Sequence, residues 1–424
     1  MIIQDFSFGN FRSFKEIQTL SLTKAKLTSK KDKALEGTNT FAHLKESFLK
    51  SKVLYGANAS GKSNLIKALS VFLKITTQSA KDEKVLEHIN SFRLSGDTME
   101  QPSFFQMIFE VGENKYRYGF QASDKAIHSE WLYERKGKKE TCYFIREQQG
   151  LSYLNESFFK EGDIYMGLAQ QKDGNKDFLF PTSLFLKMLA SFPFAKTSKS
   201  IMEGFEQIKV LSGLGDPTMT AYARESLRVP QKKSFILEIL KRADTSVEKL
   251  GFLELNNDTS ENTEAPKKRS VLLSAKKLHG GVDEDKIPLS LFAFDEYESE
   301  GTQRLSEYAA YLYDAFYEGK ILIIDQFDAQ LHPLLAKKLV ALFNSTANKQ
   351  GQFILATNNP LLLSDKLLRR DQISFVEKDK KDCSHLYSLA EIAGVKGDNH
   401  QSDYLLGKYG ATPIVGDFNE LFEN

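Results

Sequence analysis

Eight residues, Gly56-Ala57-Asn58-Ala59-Ser60-Gly61-Lys62-Ser63, carry the most specific chemistry in this 424-residue chain. They match the pattern G-x-x-x-x-G-K-[ST] in full, after a short apolar run (SKVLYG, 51–56) that reads as a strand and before an amphipathic helix. Gly56 and Gly61 permit backbone conformations that curl amide N–H groups around a phosphate chain. A helix starting there adds its positive end. Lys62 is expected to neutralise the β- and γ-phosphates, and the Ser63 hydroxyl to take a place on Mg²⁺. The chemistry is that of a nucleotide site, with ATP and Mg²⁺ as its cofactors.

A second cluster lies in ILIIDQFDAQLHP, residues 321–333. Ile321 to Ile324 form an all-aliphatic strand with Asp325 at its carboxyl end, which suits a carboxylate that holds Mg²⁺ through water. A lone Asp at a strand end is weak evidence; paired with the phosphate loop it is strong. The next position, Gln326, should sit beside the γ-phosphate, where an acid would take a proton from the attacking water. A neutral amide is a very poor base, and losing general-base help costs about 10²–10⁴ in rate. Nucleotide binding is therefore expected to survive and hydrolysis to be slow or absent. Asn358, in ILATNNP (354–360), can hydrogen-bond a phosphate or that water but cannot carry charge near neutral pH.

The elements that must position these residues follow from periodicity. Leu65, Ile66, Leu69, Phe72 and Leu73 repeat with a 3.6-residue period after the phosphate loop, predicting its helix. MIIQDFSF and IQTLSLTKA alternate as two opening strands, and the lysine-rich stretch 26–39 reads as a loop. From 104 to about 154 the period is two, with hairpins around Gly112-Glu113-Asn114 and Arg135-Lys136-Gly137; Tyr116, Tyr118, Trp131 and Tyr133 are expected to pack that antiparallel sheet. Residues 183–250 have helical spacing, including SIMEGFEQIKVL. A polar stretch, 254–270, reads as a surface loop or hairpin tip, with Lys267, Lys268 and Arg269 in it. Strands at 320–325, 352–357 and 372–376, separated by a helix and short loops, imply a parallel sheet.

The expected fold class is thus α/β, a P-loop NTPase head with a parallel core sheet, an antiparallel β-subdomain and a helical insertion. The head is built from both ends of the chain: residues 1–182 as its N-terminal part, 183–290 as the insertion and 291–424 as its C-terminal part.

Bulk composition narrows the rest. Lys+Arg 57 against Asp+Glu 56 gives a net charge of +1, so no global field draws nucleic acid, although a local patch could. Cys142 and Cys383 lie far apart without metal-type spacing, which fits a reducing, cytoplasmic setting. No apolar run approaches the eighteen or so residues of a membrane span, and the start lacks a signal-type apolar core. His128, His279, His332, His385 and His400 are scattered without ligand spacing. FVEKDKKD (375–382) reads as a charged turn, with Glu377 and Asp379 as an alternative partner-binding face. The link between site and insertion is expected at 70–105, with Gln101 and Gln106 as candidates.

These residues resemble the ABC-type ATPase heads of the SMC/RecF class. NFRSF (10–14) and GANASGKSN (56–64), with Asn58 and Asn64, are typical of them, though a glycine usually stands where this chain has Ala59. The resemblance implies that Arg12 reaches the nucleotide phosphates. It also implies that ESEGTQRL (298–305) is a degenerate signature, Ser299 and Gly301 contacting the γ-phosphate bound by a second subunit. FDAQLHP then resembles a D-loop, with Asp328 facing the dimer partner. Within the class the chain is similar to standalone RloA-like and AbiLi-like AAA-family ATPases, through YRYGF, SEWLYER, EGTQRL, LHP and YLLGKYGATPIV.

That group implies an ATP-gated homodimer, or a larger assembly, in bacterial anti-phage or toxin–antitoxin systems. It works with a separately encoded nuclease of RloB or TOPRIM-like type and answers a phage-made trigger. The family places Glu at the Gln326 position and usually a histidine near Asn358. Gln326 fits an engineered substitution that traps the ATP-bound dimer; Asn358 keeps a naturally slow switch open. The alternative function is a RecF/SMC-like DNA-maintenance ATPase, which needs a positive groove. A membrane-transporter subunit and a scaffold with a relic site fit less well.

Overall fold

The run Ile321-Leu322-Ile323-Ile324 is too apolar to face water on either side, and in the computed structural model it is the buried spine of the molecule. The structure describes residues 1–79, 83–137, 139–173, 179–255, 269–278, 288–395 and 399–422. The chain opens with β1 (Ile2–Gly9) and β2 (Gln18–Ser21), forms a hairpin from β3 (Thr40–His43) and β4 (Glu46–Leu49), and enters the core on β5 (Ser51–Tyr55). After the phosphate-loop helix, Lys62–Gln78, come β6 (Ser103–Val111), β7 (Asn114–Ala122), β8 (Ile127–Lys136), β9 (Lys139–Glu147) and β10 (Gly150–Leu154). A helical stretch follows, then β11 (Ile208–Ser212), β12 (Lys249–Leu255), β13 (Arg269–Lys277) and β14 (Leu289–Ala293). The 19-residue helix Glu300–Glu318 leads into β15 (Ile321–Asp325), β16 (Phe353–Ala356), β17 (Ile373–Lys378) and β18 (Ser384–Ser388).

The core sheet has the order β11-β15-β16-β5-β17-β18. Its first five strands are parallel and β18 returns antiparallel. A seven-stranded antiparallel sheet, β10-β9-β8-β7-β6-β1-β2, covers one side, and β12-β13-β14 form a small antiparallel sheet of their own. The fold class read from the sequence is the one observed: an α/β P-loop head with an antiparallel β-subdomain and inserted helices. Two local readings change. Residues 26–39 hold two short helices, Lys30–Ala34 and Glu36–Asn39, the first capped by Ser29, which accepts from the Asp32 amide. The helical spacing of SIMEGFEQIKVL ends at Glu206, and Ile208–Ser212 becomes β11, an edge strand of the core inside the segment expected to be helical. The stretch 254–270 joins β12 to β13, as a hairpin tip would; Lys267 and Lys268 lie outside the described residues, as does His279.

Strand alternation splits the apolar interior in two. Ile321 and Ile323 of β15, Leu54 of β5 and Ile354 of β16 face one core with the phosphate-loop helix and the antiparallel sheet. Leu322, Ile324, Val53 and Leu355 face the other, with Tyr308 and Leu312 of helix Glu300–Glu318. Phe72 pins the helix to the first core: it is fully buried and stacks on Phe120 at 5.5 Å. Truncating such a side chain to Ala costs about 3–5 kcal/mol. Tyr116 and Tyr118 are buried in that core, while Tyr133 lies under the Arg117 guanidinium at 4.0 Å. Among the described residues no helix is long and apolar enough to cross a membrane.

Candidate nucleotide site

Parallel strands end at one edge of a sheet, so the loops leaving them converge. Here β5 runs into the phosphate loop, β15 ends at Asp325, β16 leads to Thr357 and Asn358, and β17 ends at Lys378. All of these border one cavity of about 620 Å³. Residues 58–64 line one wall, Asp325, Gln326 and Asp328 another, and Asn358 lies between them. Residues nearly 300 positions apart in sequence thus meet: the Asn358 side-chain amide donates to Asn58 Oδ1 at 3.2 Å.

The phosphate loop is held from below and from the side. Lys62 Nζ donates to the carbonyls of Gly56 (2.6 Å) and Ala57 (3.0 Å), folding its ammonium back over the loop. Burial pushes this ammonium down to about 8, opposed by the charge of Asp325. Gly61 has φ +119°, a region open to glycine, and a Cβ there would press on the Ser384 and Ser13 hydroxyls. Ala59 also sits at positive φ, +62°, a conformation that glycine adopts at lower cost.

Ser13, Ser384, Thr357 and Lys378 were not singled out from the sequence. The Ser384 hydroxyl donates to the Ser60 carbonyl at 2.6 Å and pairs with the Ser13 hydroxyl at 2.8 Å, and Asn64 donates to Ser13 at 2.9 Å. The NFRSF turn is closed by paired backbone bonds between Phe11 and Phe14, both fully buried, and thereby presents Ser13 to the loop. Arg12 sits at positive φ beside it and does not line the cavity; its Nε is buried without a hydrogen-bond partner among the described residues.

On the opposite wall, Asp325 Oδ1 is likewise buried without a partner among the described residues. A carboxylate oxygen left dry and unpaired beside a lysine and the Ser63 hydroxyl is the donor set a hard divalent cation takes, so Asp325 and Ser63 fit Mg²⁺. Elsewhere among the described residues, no cluster of three or more His, Cys, Asp or Glu side chains could hold a metal. Gln326 has φ +52°, and its carbonyl packs so closely on Gly213 that a Cβ at Gly213 would overlap it. Asp328 accepts from Thr357 Oγ1 at 2.6 Å, tying the loop after β15 to the end of β16.

Several candidates fall elsewhere. Ser299 and Gly301 do not line the cavity; Ser299 caps helix Glu300–Glu318 and is exposed, and Gly301 abuts the Gln330 carbonyl. Gln106 sits in β6, accepting from Arg117 and Trp131 at 3.1 Å, and the Gln101 carbonyl accepts from Asn10, so neither reaches the site. The segment running beside Asp325 is instead the loop after β11: Ser212 is level with Asp325, and the Gly213 amide donates to the Asp325 carbonyl at 2.7 Å. Glu377 accepts from Tyr387 and Asp379 closes the β17–β18 turn with His385, local roles for both acids. His332 caps helix Pro333–Phe343.

With that geometry in view, the family can be stated. A family model described as "AAA domain, putative AbiEii toxin, Type IV TA system" matches residues 53–167 and 184–364. The chain belongs to this family. As an AAA domain of that kind it is an ATP-binding ATPase in general class, and the two matched stretches carry the phosphate loop, Asp325 and Asn358. None of the curated proteins compared matches this AAA domain. Among solved structures, it is similar to an Smc head bound to the C-winged helix domain of ScpA (TM-score 0.42, 14% identity, 92% of this chain and 97% of that one). It is similar also to the SMC head domain from Thermotoga maritima (0.42, 11%, 92% and 99%). A third is an Smc head with an extended coiled coil bound to the C-terminal domain of ScpA derived from Pyrococcus furiosus (0.40, 13%, 91% and 96%).

Proposed function

We propose that this AAA domain binds MgATP in the cavity at the carboxyl edge of the core sheet and uses it to gate association of two copies. The observation that carries the reading is the convergence on one cavity of the phosphate loop, the unpaired Asp325 carboxylate, Gln326 and Asn358. Lys62 and the loop amides bind the phosphate chain, and Asp325 with Ser63 would hold Mg²⁺, whose charge draws electrons from the terminal phosphate. Gln326 and Asn358 can orient a water but cannot accept its proton, so turnover is slow.

The exposed Ser299 and the half-buried Gly301, at a helix start outside the cavity, would contact the γ-phosphate of the second copy, and Asp328 would face that copy. Only the closed pair then touches the γ-phosphate from both sides, which is why ATP favours it. In the cytoplasm, such a switch would hold or release a separately encoded nuclease of RloB or TOPRIM-like type in anti-phage defence, a phage product being the trigger. Residues 1–182 and 291–424 act as the two main parts of the head, and the segment between them, 183–290, adds the edge strand Ile208–Ser212 to its core sheet.

The test is MgATP titration by calorimetry together with mass measurement, on the wild-type chain and on Lys62→Ala. The wild type is expected to bind and to double in mass with MgATP. Lys62→Ala should lose about 100-fold in affinity, the upper range for hydrogen bonds to a charged group. A wild type that neither binds nor associates would end the proposal.

A further inference from the structure

We propose that Lys378 is a second cation of the nucleotide cavity, approaching the phosphate chain of MgATP from the flank opposite Asp325. This rests on the cavity being a nucleotide site. In the strand order β15-β16-β5-β17, Asp325 and Lys378 lie on opposite sides of the strand that feeds the phosphate loop. Phe375 of β17 is level with Tyr55, the last residue of β5, and β17 continues three residues further to Lys378. That overhang carries Lys378 past the sheet edge and into the cavity wall.

The hairpin that carries it is anchored to the loop it overhangs. Ser384, on the returning strand, donates its hydroxyl to the Ser60 carbonyl and its amide to the Ser13 carbonyl, at 2.6 and 2.7 Å. Asp379 closes the turn, accepting from the amides of Lys381 and Cys383. Lys378 itself is weakly committed. Its ion pair is with Asp382, four residues on, at 3.3 Å, and that carboxylate is 66% exposed. A pair this open contributes little.

Charge gives the ammonium something to do. A triphosphate carries about four negative charges, and Mg²⁺ with Lys62 supplies about three positive ones. Asp325 adds another negative charge to the site, so one more cation is needed to approach balance. Without nucleotide, Lys378 rests on Asp382; with nucleotide, it turns from that carboxylate to the phosphates.

The test is MgATP affinity by calorimetry for Lys378→Met, Lys378→Arg and Asp382→Asn, each beside its thermal midpoint without nucleotide. Lys378→Met should weaken MgATP binding about tenfold at an unchanged midpoint, and Lys378→Arg should stay within about twofold of wild type. Asp382→Asn should tighten binding about twofold, and that gain should vanish when Lys378 is Met. An affinity in Lys378→Met within twofold of wild type overturns the inference while leaving the MgATP reading intact. A loss that Lys378→Arg fails to restore overturns it as well, because it marks a structural lysine. A wild type that binds no MgATP removes both readings together.

Discussion

The wall of the cavity built by the phosphate loop and the helix start at Ser299 are finished differently. Along the loop, several polar groups find partners within the chain: Lys62 on two carbonyls, Asn64 on Ser13, Ser384 on the Ser60 carbonyl, Asn58 with Asn358. Among the described residues, the Ser299 hydroxyl meets its own helix, through Thr302, and Glu300 accepts from Gln330 of the loop after β15. The first region is ready for a ligand and the second is turned to solvent. In the proposed function, binding and gating rest on separate residues, so substitutions should separate them.

Gln326→Glu should have the largest effect. Restoring a carboxylate beside the attacking water is expected to raise steady-state ATP turnover by about 10²–10⁴ with little change in affinity. Flat turnover would place the block somewhere other than Gln326. On the solvent-facing side, Ser299→Arg should leave ATP affinity of the single copy within about twofold while raising the concentration needed for ATP-dependent pairing at least about tenfold. Loss of both together would show that the two regions are not separable.

The loop side has a pH signature. Lys62 titrates near 8 without ligand, and bound phosphates hold it protonated to higher pH. The bound state then carries the extra proton, so MgATP affinity should be level below about pH 7.5 and fall above pH 8 by at most about tenfold per unit. A slope confined to acid pH would assign the titration elsewhere. Ala59→Gly should have the smallest effect: relief of the left-handed backbone at φ +62° is worth about 1 kcal/mol, partly offset by the greater freedom of glycine in the unfolded chain. A rise of a few degrees or less in the ligand-free thermal midpoint is expected, and a fall would mean that the Ala59 methyl packs usefully.

What the sequence disclosed was whatever is contiguous. The phosphate loop and the Ile321–Asp325 strand each carry their chemistry within a dozen residues, so pattern and period sufficed. Ser13 and Ser384 could not be found that way, because their value lies in a contact across 371 positions and neither type is distinctive alone. The strand Ile208–Ser212 was absorbed into the preceding helix because five residues are too few for a period of two to stand out. Lys378 sat within a run read as a charged turn, and only the overhang of its strand separates it from Lys380 and Lys381.

The placement of β5 between β16 and β17 also bears on how the chain is made. Tyr55 gains its neighbour at Phe375 only after 375 − 55 = 320 further residues have been added. At roughly 5–20 residues per second, the strand behind the phosphate loop spends about 15–60 s of synthesis without either of its partners. The nucleotide cavity is therefore among the last parts of the molecule to close. Contacts this distant in sequence make folding slow and expose unpaired strand edges while it is under way. A nascent chain can begin building the antiparallel sheet well before all the strands that border the nucleotide cavity have been made.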